Sequence, residues 1–215
     1  TIQENSSSGT VVGNLLATDP DIGDTHSFSV EGGTGSNLFE INANNQLVLK
    51  SGVVIDYETL ANPTVTIRIT DSGGLSFDKT FMVSVTDVNE TPTDITLDSL
   101  SVAENSAGAH VANITGTDPD GDALTYSIVG GADEALFEIS DSGDRLHLAP
   151  GVSADYEADS QLEVQLQATD PDGLSYQELF TITVSGSTQS DGEAPKITSV
   201  SLSDSNVVVG ADGYE

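Results

Sequence analysis

Cysteine is absent from the 215-residue sequence, so neither a disulfide framework nor a thiolate metal site is open to it. That does not exclude an extracellular home, because a bound metal can staple a domain that lacks disulfides. Tryptophan is also absent and aromatic residues make up only 5%, which leaves few flat faces on which sugars could stack. Cations are scarce as well: Lys+Arg number 5 against 35 Asp+Glu, a formal net charge of −30. Nucleic acid is therefore excluded as a partner, since phosphate contact needs clustered Lys and Arg. An anionic membrane surface would repel the chain for the same reason. Long apolar runs are missing too. The stretch 207–209 is among the longest, far short of the roughly 18 residues of a membrane span, so no membrane insertion by this segment is expected. No charged-then-apolar leader opens the chain. It starts in mid-motif at Thr1 and ends soon after a new segment begins, which predicts a piece of a longer protein.

What is present is one acidic pattern written twice. The first copy runs Glu4-Asn5, Asp19-Pro20-Asp21, Leu38-Phe39-Glu40-Ile41, Asp56-Tyr57-Glu58 and Thr70-Asp71. The second runs Glu104-Asn105, Asp118-Pro119-Asp120, Leu136-Phe137-Glu138-Ile139, Asp155-Tyr156-Glu157 and Thr169-Asp170. Successive partners are 100, 99, 98, 99 and 99 residues apart. Self-similarity at a fixed period marks tandem modules, and this length suits two of them. Carboxylate placement is what mainly repeats, and paired carboxylates at short spacing are what a hard cation needs. Plain solubility, or adaptation to a salty medium, is the alternative source of such charge. Charge of that origin would be scattered over strand faces rather than gathered in motifs.

Strand signals dominate between the motifs. Val65, Ile67 and Ile69 alternate with polar residues, Phe77, Phe81, Val83 and Val85 keep one face of the next run, and the second copy answers with Leu162-Val164-Leu166-Ala168 and Phe180-Ile182-Val184. Period-2 alternation rich in β-branched residues predicts half-buried strands. Glycine-bearing turns such as Ser72-Gly73-Gly74, Gly130-Gly131 and Asp172-Gly173 separate them. About seven such runs fit each repeat, and no helical period appears. The expected fold is all-β: two tandem Ig-like sandwiches of Greek-key type in an elongated arrangement, plus the start of a third module. Residues 1–90 form repeat 1, 91–186 repeat 2, and 187–215 a linker with a truncated β module whose first strand lies at 196–202. The joint Asp87-Val88-Asn89-Glu90-Thr91-Pro92 is short, and Pro92 stops the preceding ladder from continuing.

These motifs resemble the cadherin family, most of all the cadherin-like repeats of large bacterial surface proteins, over about residues 1–186. The resemblance implies calcium held between successive domains. At the joint it would draw on Glu4, Asp56 and Glu58 of repeat 1, Asp87, Asn89 and Glu90 of the linker, and Asp118, Asp120 and Asp170 of repeat 2. The linker is one residue shorter than the animal pattern, and Glu90-Thr91 stand where Asp-Asn is usual. Partial sites follow at the outer ends: Asp19, Asp21 and Asp71 toward a preceding domain, and Glu104, Asp155 and Glu157 toward an exit where Asp191 or Glu193 stands in for the missing linker acids. Calcium takes six to eight oxygens in flexible geometry, whereas magnesium prefers to keep its waters. Zinc is disfavoured because there are no thiols and His26, His110 and His147 do not recur in register.

The remaining signals have ordinary readings. Asp118-Pro119-Asp120-Gly121-Asp122 opens like an EF-hand loop, but its twelfth position is Val129 rather than Glu. Leu38-Phe39-Glu40-Ile41 and its twin are expected to be core rather than a peptide-binding strip. Tyr57 and Tyr156 are expected to anchor the acid-bearing turns. No nucleophile elbow, thiol or His-Glu-x-x-His motif is present, and the acid pairs recur identically in both repeats, so an enzyme is not expected. The leading expectation is a calcium-stiffened stalk segment of a secreted bacterial cell-surface adhesin whose parent is held at the membrane. Its partners would be calcium, neighbouring repeats, and a homophilic, polysaccharide or protein ligand. Without tryptophan, the exchange dimer of classical cadherins is not available. The rivals are a calcium-dependent carbohydrate- or matrix-binding module of a polysaccharide-degrading protein, and a self-associating surface-layer or fibre component using unpaired strand edges.

Overall fold

The computed structural model describes residues 1–21 and 23–186; the expectations for Asp191, Glu193 and a strand at 196–202 lie outside the described residues. The first repeat comprises β1 (Ile2–Gln3), β2 (Val11–Asn14), β3 (Ser27–Gly32), β4 (Phe39–Ile41), β5 (Gln46–Leu49), α1 (Tyr57–Leu60), β6 (Thr64–Thr70), β7 (Ser76–Met82) and β8 (Val85–Thr86). Strands β3-β6-β7 form one antiparallel sheet and β2-β5-β4 the other, while β1 pairs in parallel with β8. The second repeat comprises β9 (Asp94–Leu97), β10 (Ser101–Ala103), β11 (His110–Thr117), β12 (Thr125–Gly130), a 3-10 turn at Glu134–Leu136, β13 (Phe137–Ile139), β14 (Arg145–Leu148), β15 (Gln161–Thr169) and β16 (Ser175–Ser185). Its sheets are ordered β10-β16-β15-β12 and β13-β14-β11-β9.

Alternation translates directly into burial in the second repeat. Leu162, Val164, Leu166 and Ala168 of β15 face inward with Phe180, Ile182 and Val184 of β16, and their polar neighbours face out. Phe39 and Phe137 are buried in their respective cores, each through its β13-like position opposite Leu49 or Leu148. Each repeat has its own core, and the substantial strand contacts all fall within one repeat or the other.

The first repeat departs from its expected pattern along β7. Val83 and Val85 are buried, but Phe77 is 66% and Phe81 39% exposed, and every residue of β7 is exposed. Of their partners in the second repeat, Tyr176 is half-buried and Phe180 is buried. The difference has a local cause. In the second repeat β9 lies along β11 on the side away from β14 and sends Ile95 and Leu97 into the core, whereas among the described residues β2 has β5 on one side and no strand on the other. Tyr156 is 46% exposed and lies over Gly186, just past the end of β16, while Tyr57 packs partly on its core. The single turn α1 gave no periodic signal because four residues cannot show one; Asp56 creates it by capping.

Candidate metal centre

The joint is assembled from the backbone outward. Asn5 and Asn105 adopt positive φ, 54° and 61°, a conformation that asparagine tolerates better than most residues. Their amides bond to the carbonyls of Ile55 and Ala154, which fixes the preceding glutamates. Glu4 is thereby buried at 2% exposure, accepting from Val88 N at 2.6 Å and Tyr57 N at 2.8 Å. One carboxylate thus ties the linker to the Asp-Tyr-Glu turn. Linker and second repeat are tied in turn: Asn89 Nδ2 donates to Asp170 Oδ2 at 2.9 Å, and Glu90 N donates to Asp120 Oδ2 at 2.7 Å. Asn5 Nδ2 donates to Glu90 Oε1 at 2.6 Å, closing the ring back to the first repeat.

Within this frame Glu4, Glu58, Asp87 and Asp120 each bring a carboxylate oxygen within 4.8 Å of the others. They come from both repeats and the linker. Asp118 lies in the same turn as Asp120 and accepts its amide at 3.0 Å. Two carboxylate oxygens there, Asp118 Oδ2 and Asp120 Oδ1, are buried without a hydrogen-bond partner among the described residues. Buried carboxylate oxygens are normally paired, and a cation is the group that pairs them best. The donors are all oxygens, which suits calcium rather than a softer ion.

Electrostatics at the joint is repulsive. Desolvation, followed by the charges of Asp120 and Glu4, holds Asp87 above its ordinary value. Desolvation also lifts Glu58, with Glu4, Asp87 and Glu90 adding to it. Asp122 is raised by desolvation and then by Asp118, Asp120, Asp170 and Asp172. Asp170 behaves oppositely. Burial works against its charge, but donation from Asn89 and from the Leu174, Gly173 and Asp172 amides outweighs that and lowers it.

Asp56 is placed differently from its neighbours. Its two oxygens accept from Thr59 N at 3.0 Å and Thr59 Oγ1 at 2.8 Å, capping α1, and these bonds hold its carboxyl low. At the outer end of repeat 1, Asp19 and Asp21 gather with Asp24 rather than with Asp71, whose Oδ1 accepts from Leu75 N. Asp24 escaped the sequence reading, and its partner Asp122 entered it only within the EF-hand-like opening. Their signal was there: a third acid follows Asp-Pro-Asp after a glycine in both copies. At the far end of repeat 2, Glu104, Asp155 and Glu157 form a third cluster within 4.8 Å, with Glu104 accepting from Tyr156 N.

Comparison with known proteins bears on the fold of these repeats. Residues 1–86 match the model of the cadherin domain. Protocadherin Fat 2 of Rattus norvegicus is 31% identical over 153 residues, covering 66% of this chain and 3% of that protein. Human cadherin-related family member 2 is 29% identical over 177 residues, covering 75% of this chain and 14% of that protein. The chain therefore spans a small part of these relatives' length, and both are mammalian. Among solved structures, EC1-2 of human protocadherin-24 superimposes with a TM-score of 0.68 at 23% identity, over 86% of this chain and 93% of that one. Cadherin domains are extracellular, calcium-binding adhesion modules without catalytic activity. No helix among the described residues is long and apolar enough to cross a membrane. The two described repeats have the fold of tandem cadherin domains, and the first of them matches that family in sequence.

Proposed function

We propose that calcium binds at the joint between repeats 1–90 and 91–186 and stiffens a stalk segment of an extracellular adhesin. The observation that carries this reading is the pair of buried, unpartnered oxygens on Asp118 and Asp120, beside carboxylates from the other repeat. Glu4, Glu58, Asp87, Asp118 and Asp120 would hold the ion or ions, and Asn89, Asp170 and Glu90 would shape the site through the bonds they already make. Asp56 joins the ligand set only by sharing its oxygens with the α1 cap. The partial clusters Asp19-Asp21-Asp24 and Glu104-Asp155-Glu157 would serve neighbouring repeats in the same way, with Asp71 as a turn-closing residue. Bound calcium neutralises charges that otherwise repel across a linker of few residues.

The expected likeness to bacterial surface repeats finds no counterpart in the relatives reported above, which are mammalian proteins. Small-angle scattering in calcium and in chelator tests the central claim. The maximum dimension should be longer and better defined in calcium. Superimposable curves, with no heat of calcium binding by titration calorimetry, would remove it.

A further inference from the structure

On the outer face of the second repeat, strands β13, β14 and β11 set Glu138, His147 and His110 in one cross-strand row. Leu148 N donates to Ala109 O at 2.9 Å, so the next pair along the ladder, His110 opposite His147, is of the kind without mutual backbone bonds, in which side chains stand closest. The two ring centroids are 5.0 Å apart and the planes are tilted by 53°. His110 is exposed and His147 half-buried, and neither imidazole makes a hydrogen bond or ion pair among the described residues. The fold does not require histidine here. The matching row of the first repeat reads Glu40, Val48 and Val11, in the same register and with the same irregularity after Val11 as after His110. Surrounding charge favours a cation. Glu138 is exposed at one end of the row, and Asp98, held low first by its bonds from Asn113, also feels His110. Arg145, the next outward residue of β14, lies 4.0 Å from Asp144, which offsets its charge.

We propose that His110 and His147 form a binding site for a borderline divalent metal ion, zinc or copper(II), separate from the all-oxygen clusters. Imidazole suits these ions, whereas calcium takes oxygen, so the two kinds of site differ in donor type. Each ring offers one nitrogen to an ion at about 2.0–2.1 Å, a span that two rings at this separation reach by small turns about their side-chain bonds. Glu138 or water completes the coordination. Comparing one repeat with the other hides the site, because these histidines do not recur at a fixed period; they meet across two strands of a single repeat. An ion held by both strands clips β11 to β14 and stabilises the folded second repeat by mass action.

Zinc titrated into the chain with calcium in excess tests this, followed by calorimetry and by the imidazole proton resonances. A zinc ion should bind, move the His110 and His147 resonances together, and raise the melting temperature of the second repeat. His110→Val and His147→Val place the first repeat's residues at these positions, so each should keep the fold and lose that zinc. His26→Gln should retain it; His26 is the remaining histidine and lies 3.4 Å from Asp19, where an ion could also be taken up. The proposal is overturned if no zinc binds, if either valine variant binds it as the unaltered chain does, or if His26→Gln loses it. Should a valine variant fail to fold, the resonances of the unaltered chain decide: both move on zinc addition, or the site is not there.

Discussion

At the scale of single residues, the proposed site separates groups that would touch a cation from groups that hold those groups still. Asn89 belongs to the second kind, since its amide is spent on Asp170. Replacing it, Asn89→Ala, should weaken calcium binding by about 10–100-fold, as loss of an orienting partner generally does. Titration calorimetry measures it, with an unchanged far-ultraviolet spectrum as the control. Asp56 can be assigned by Asp56→Asn, which keeps a good cap and removes the charge. If capping is its whole role, stability and calcium affinity should both stay near wild type. A fall in affinity alone would make it a ligand.

The pH response follows from the same residues. Glu58, Asp87 and Asp122 titrate above their ordinary values in the folded chain, so folding at these positions takes up protons. Their contribution in chelator becomes more favourable as pH falls through the folded values toward the ordinary 3.8 and 4.5. Calcium needs the charged forms, so its affinity should fall over that range, earlier than for unperturbed carboxylates. Calorimetry between pH 7 and 4 shows both trends.

At the scale of elements, the paired turns around Gly33 and Gly131 are the most constrained. Both have positive φ, 102° and 106°, and a Cβ there would meet the backbone of Thr64-Val65 or Glu163-Val164. Gly131→Ala should cost the second repeat about 1–3 kcal/mol, read by thermal melting. Most strands were legible beforehand because alternation and glycine turns are local signals: β6 and β15 follow Val65-Ile67 and Leu162-Val164-Leu166. The exposure of Phe77 and Phe81 was not, since it depends on whether another strand covers them. The same holds in the site. The Asp-Pro-Asp and Asp-Tyr-Glu motifs marked the place, but only the fold distinguishes the capping Asp56 from Glu58, which faces the other acids.

For the whole molecule, two separate cores joined by a few residues predict two thermal transitions rather than one. The first repeat, whose β7 is exposed along its whole length, should melt at the lower temperature. Gly131→Ala should shift only the upper transition, and calorimetry of that variant assigns the two. In the second repeat β10, which follows the entering strand β9, lies parallel to the exit strand β16, with Ser101, Val102 and Ala103 opposite Thr183, Val184 and Ser185. Tension that passes beyond β9 to the two ends of this pair therefore pulls these strands past one another along their length. The load falls on all three rungs together instead of unzipping them in turn, so a tugged repeat yields only when the whole patch gives way at once.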